Sequence, residues 1–79
     1  MADSPTRIKK HSVSIAGHRT SVTLEAAFWA ALGAIAKRRG TTVAALISRI
    51  DDARAKDPAA PNLSSAIRVF VLEEARAGR

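Results

Sequence analysis

Arg19, Ser21 and Thr23 are the residues whose types and spacing point most clearly to chemistry. They sit at every second position of Arg-Thr-Ser-Val-Thr-Leu (19–24), and Thr20, Val22 and Leu24 take the positions between. In an extended strand that alternation puts a guanidinium and two hydroxyls on one face and a mildly apolar, β-branched set on the other. Such a face donates and accepts hydrogen bonds, so its chemistry is recognition. Catalysis finds no comparable support. Asp51-Asp52 reads as a polar helix face, and no nucleophile stands in sequence beside a base. There is no glycine-rich phosphate loop. His11 and His18 have no cysteine, further histidine or carboxylate at ligand spacing, so neither a metal nor another cofactor is expected, and the chain is not expected to be an enzyme.

A strand at 19–24 cannot satisfy its own backbone groups and must pair. In a chain of 79 residues the expected partner is the same strand of a second copy. Upstream, His11–Ile15 alternates again, with Val13 and Ile15 between polar neighbours. Ala16-Gly17 can turn the chain into a hairpin with 19–24, or Gly17 can kink one long ribbon; both readings stay open. Residues 1–10 are polar and contain Pro5, and they read as a mobile basic arm.

Downstream, Phe28, Leu32, Ile35 and Ala36 recur at helical spacing with Trp29 beside them, predicting a helix over 25–39. Glu25 suits its positive end; Lys37, Arg38 and Arg39 suit its last turn, and Gly40 its C-terminal cap. Thr41 and Thr42 offer an N-cap to a second helix, 43–55, patterned by Val43, Leu46, Ile47 and Ile50. Residues 57–62, with two prolines, read as a linker. The run Ile67–Leu72 has high β-propensity, but Ser64-Ser65 before it and Glu73-Glu74-Ala75-Arg76 after it favour a third helix, 63–77, burying Ile67, Phe70 and Val71.

Charge narrows the partner. Thirteen basic against seven acidic side chains leave a net +6. Residues 1–40 hold seven basic and two acidic groups, and residues 41–79 six and five, so the excess lies in the arm, the strand and the first helix. A one-sided positive field suits a polyanion. The longest apolar run, Ala26–Ala36, is too short to span a bilayer, and no apolar stretch follows Arg7, Lys9 and Lys10 as an export signal requires. A soluble, cytoplasmic protein is expected, with no membrane partner. Without cysteine, and with three aromatic residues, so small a core gains most from association.

Strand, helix, glycine turn, helix is an order that resembles the ribbon-helix-helix DNA-binding domains of the Arc/MetJ type. The resemblance rests on Arg-Thr-Ser-Val-Thr-Leu, on Ala36-Lys-Arg-Arg-Gly40 and on Thr41-Thr-Val-Ala-Ala-Leu-Ile47. With Asn62-Leu-Ser-Ser-Ala-Ile-Arg-Val-Phe-Val-Leu72 included, the chain looks like a bacterial subfamily that adds a third helix. The fold so implied is mainly α with a short N-terminal β-strand: an intertwined homodimer with an intersubunit antiparallel two-stranded ribbon. Its parts are a basic arm at 1–18, with an extra strand at 11–15 in one reading, a core at 19–56, and a linker plus helix at 57–79. The resemblance implies sequence-specific double-stranded DNA binding and transcriptional repression. Arg19, Ser21 and Thr23 then face bases, while Thr20, Val22 and Leu24 face the dimer core. Thr41, Thr42 and Val43 at the second helix's start would clamp phosphate, with Lys9 and Lys10 adding backbone contacts. The rival reading is a protein-interaction module, or an antitoxin binding a partner protein. A short, apolar, folded segment after the core argues mildly against an antitoxin's separate tail.

Overall fold

A computed structural model describes residues 4–57, 59 and 62–78. Two strands lead, β1 (Ile8–Ile15) and β2 (His18–Glu25), followed by three helices, α1 (Ala26–Arg38), α2 (Val43–Ala55) and α3 (Leu63–Arg76). The strands pair antiparallel within one chain, from Ile8 opposite Glu25 to Ile15 opposite His18. Of the two readings open at Ala16-Gly17, the hairpin is the one adopted. Both turn residues have positive φ, 51° at Ala16 and 84° at Gly17, as a two-residue hairpin turn of the right twist demands.

This pairing alters the expectation for residues 19–24. Within the chain their ladder partner is β1, which takes one edge of β2. The upstream strand is also longer than 11–15, because residues 8–10 of the expected mobile arm continue the ladder. Backbone accounting explains the ordering. The cap residue of α1, Glu25, makes no side-chain cap, and the amides of Ala26 and Ala27 donate instead to the carbonyls of Arg7 (2.8 Å) and Pro5 (3.0 Å). The chain before β1 thus caps the helix after β2. Met1–Asp3 of that arm lie outside the described residues, as do Pro58, Ala60 and Pro61 of the expected linker.

Between α1 and α2 the glycine turn closes as the sequence suggests. Gly40 has φ 66°, its amide donates to Lys37 O, and the amide of Thr41 reaches Ala36 O at 2.9 Å. That double closure satisfies carbonyls a helix end otherwise leaves open. Thr42 caps α2, its Oγ1 accepting from the Ala45 amide at 3.1 Å. Asn62 caps α3 through the Ser65 amide at 2.8 Å, a role the linker reading did not assign to it.

One face of the hairpin closes the core. Ile15, Val22 and Leu24 pack with Leu32, Ile35 and Ala36 of α1, Leu46, Ile47 and Ile50 of α2, and Ile67 and Val71 of α3. Each fully buried aliphatic side chain here contributes about 1.5–3 kcal/mol. Val22 and Leu24, expected in a dimer core, are buried by their own chain's helices, and Thr20 is half-buried beside them. In α3 the burial of Ile67 and Val71 overrides local β-propensity, and Phe70 is half-buried. The helix is less enclosed than its composition suggests, since Val69 and Leu72 are half exposed.

Candidate nucleic-acid interface

Alternation along a paired ladder places cross-strand partners on the same face. With Val22 and Leu24 turned inward, the outward set follows from the register: Lys10 opposite Thr23, Ser12 opposite Ser21, Ser14 opposite Arg19. All six residues are exposed. The structure therefore brings Arg19, Ser21 and Thr23 onto one solvent-facing surface, as the sequence predicts. It also adds Lys10, Ser12 and Ser14, which sequence reasoning did not place there. The signal that could have found the serines was the Ala16-Gly17 turn, since a hairpin at that point fixes their register. The open end of the face carries Ile8, half exposed, opposite Glu25.

Glu25 does not leave a loose negative charge on this face. Arg68 of α3 donates to its Oε1 at 2.9 Å, and the guanidinium lies 6.0 Å from the Phe28 ring centre. The Arg68 hydrogen bond, then the Glu25 backbone amide, holds the Glu25 carboxyl below the usual glutamate range, against a smaller desolvation effect.

The basic residues divide by environment. Lys10 stands on the outer face. Lys9 belongs to the inner face opposite Leu24 and is half-buried, so it does not join the Arg19 surface directly. The Lys9 carbonyl accepts from Trp29 Nε1 at 3.1 Å, and the Trp29 ring lies 4.3 Å from that of His11. Trp29 thus fastens α1 to β1. Arg39 is engaged by the fold: its Nη2 donates to Glu74 Oε2 at 2.7 Å, and its guanidinium sits 5.4 Å from the Phe70 ring centre. Glu74 is 6% exposed, and Arg38 approaches its other oxygen at 4.0 Å. Of the basic cluster at the end of α1, Arg39 is accounted for by α3.

Thr41, Thr42 and Val43 stand together at the start of α2, with Thr42 exposed and the other two half-buried. The first amides of a helix have no acceptor within it and carry the positive end of its dipole, so they suit an oxyanion. The Thr42 hydroxyl accepts from Ala45 as cap and keeps its own hydrogen to donate outward. Among the described residues no group of His, Asp and Glu could hold a metal ion, and no helix is long and apolar enough to cross a membrane.

An exposed hydrogen-bonding ribbon thus precedes two helices joined by a glycine turn. The family model for the ribbon-helix-helix domain matches residues 8–75, and the chain belongs to that family. Ribbon-helix-helix domains are typically non-enzymatic DNA-binding modules that serve in transcription regulation and in antitoxins. Among solved structures, the chain is similar to an uncharacterized protein from Bordetella pertussis Tohama I, at 33% identity and a TM-score of 0.76 over 91% of this chain. It spans 58% of that protein's length. Among curated proteins none matches.

Proposed function

We propose that the protein binds double-stranded DNA in a sequence-specific manner as a homodimer and represses transcription, with its β-ribbon in the major groove. The observation that carries this reading is the two-sidedness of β2. Val22 and Leu24 are 1% and 0% exposed, while Arg19, Ser21 and Thr23 between them face solvent. A two-stranded ribbon fits the major groove, and an arginine can bridge guanine O6 and N7 there. Ser21 and Thr23 discriminate less, because a hydroxyl donates or accepts. Lys10 and the α2 start at Thr41, Thr42 and Val43 hold phosphates; Lys9 joins them only through the length of its side chain. A second copy doubles the charge and the contact area, and a palindromic site would match its two-fold symmetry. In a mobility-shift assay, DNA from around the protein's own gene should be retained at concentrations that leave random DNA free. Equal retention of both would defeat the reading.

A protein-interaction or antitoxin role is the second reading, favoured by an open groove of about 790 Å³ between α2 and α3. Leu46, Ile50, Ala66, Val69 and Phe70 line it, and Arg49 and Glu73 are on its rim. Substituting Val69, half exposed in the groove, by Ser should abolish partner capture and spare DNA retention if that surface docks a protein.

A further inference from the structure

We propose that β1 is a phosphate-holding flank of the DNA ribbon: with two copies paired through β2, each β1 lies outside that pair, and Ser12 and Ser14 donate to phosphates along the wall of the major groove. The inference rests on the DNA-binding homodimer proposed above and adds contacts from a strand to which that reading gives none beyond Lys10.

Sheet order carries the argument. β1 takes one edge of β2 along its whole length, from Ile8 opposite Glu25 to Ile15 opposite His18. A second copy's β2 can therefore join only at the opposite edge, and the order across the dimer becomes β1, β2, β2, β1. Neighbouring strands lie about 4.8 Å apart, so the two central strands fit a groove about 12 Å wide. The two β1 strands then stand about 14 Å apart, which exceeds that width. They cannot descend between the phosphate backbones with the central pair and settle over them instead. Ser12 is opposite Ser21 and Ser14 opposite Arg19 on one exposed face. The face that sends Arg19 toward the bases thus sends both serines toward the walls.

Side-chain size fits this division. The groove is about 8.5 Å deep, and the long Arg19 side chain can reach toward its floor from a central strand. On an outer strand only a short side chain lets the backbone approach a phosphate, since a long one would prop the sheet away from the floor. Ser12 and Ser14 are short and exposed, and each hydroxyl has a hydrogen for a phosphate oxygen. From Lys10 to Ser14 the outer face of β1 carries no acidic residue, and Lys10 opposite Thr23 adds a positive charge. A hydroxyl on a phosphate fixes position without reading sequence, which sets these serines apart from Arg19.

The test starts from a preferred duplex selected by the full chain out of a randomised double-stranded DNA library. Binding to that duplex and to a scrambled duplex is then measured for the wild type, Ser12→Ala/Ser14→Ala, Ser12→Thr/Ser14→Thr and Arg19→Ala. The alanine pair should bind both duplexes about tenfold more weakly, with the preference between them kept within about twofold. Its salt slope should match that of the wild type, because no cation is lost. The threonine pair keeps both hydroxyls and suits a strand, so it should bind like the wild type, which separates lost contacts from a weakened hairpin. Ethylation of single phosphates in the preferred duplex should hinder the wild type at wall positions to which the alanine pair has become insensitive. An alanine pair that binds both duplexes like the wild type would place β1 clear of the DNA. One that loses affinity for the preferred duplex alone would make β1 a base-reading strand. Either result overturns this inference, and a loss of preference in Arg19→Ala would still uphold the DNA-reading function. If the wild type selects no preferred duplex, that function falls and takes this inference with it.

Discussion

Lys10 and Arg19 share the outer face of the hairpin yet belong to different kinds of contact. A lysine neutralising one phosphate acts on every sequence alike, so Lys10→Ala should weaken binding to all duplexes and reduce the salt slope by about one. Titrations at several salt concentrations check this, and an unchanged slope would remove Lys10 from the phosphate set. Glu25 offers a second test at this scale. Its carboxyl is held below the usual glutamate range chiefly by the Arg68 hydrogen bond. Because the folded state depresses this pKa, the associated stability is present above the ordinary glutamate range and is lost as pH falls through the folded value. Arg68→Ala should return Glu25 toward its ordinary titration, as read from carboxyl carbon shifts by NMR. An unmoved titration would mean that Arg68 is not the cause.

The hairpin turn and α3 can each be tested as elements. Ala16 occupies a left-handed conformation, φ 51°, that a side chain disfavours by about 1–2 kcal/mol. Asparagine tolerates it and suits the first position of this turn, so Ala16→Asn should raise stability by up to about 1 kcal/mol in urea unfolding. Lower stability would contradict the turn geometry. Helix α3 is held to α1 by Glu74 and Arg39. Arg39→Ala leaves a buried carboxylate without its closest cation and should cost about 1–3 kcal/mol. Replacing Glu74 by leucine in the same variant should recover much of that loss, since the charge is then gone. A double variant as unstable as the single one would argue against the ion pair as the cause.

Helix periodicity, the Gly40 turn and the Thr42 cap were legible in sequence because each depends on neighbours within a few residues. The inward face of 19–24 was equally plain. What was not legible depended on contacts far along the chain. Residues 8–10 looked like a polar arm because the carbonyls of Pro5 and Arg7 find their donors only after the chain has folded back to Ala26 and Ala27. The Ser12–Ser21 and Ser14–Arg19 rungs required a choice at Ala16-Gly17 that local patterning left open. Glu74 read as part of a charged helix end, and only the packing of α3 reveals it as buried.

At the scale of the whole molecule, the hairpin and the three helices of one chain share a single core. Val22→Asp puts a charge where 1% of the residue is exposed and should cost several kcal/mol, read as unfolding of the protomer itself. The homodimer proposed for DNA binding is tested independently by sedimentation at micromolar concentration. A wild type that remains monomeric there, and binds DNA as single copies, would remove the dimer from the proposed mode of binding.

Whether the exposed face of the ribbon reads DNA sequence is decided by titrating the wild type and Arg19→Ala against a preferred duplex and its scrambled counterpart. Arg19→Ala should lose about 1–3 kcal/mol on the preferred duplex and far less on the scrambled one, with preference relaxed at a single base position. Loss by the same factor on both duplexes would contradict sequence reading by this face.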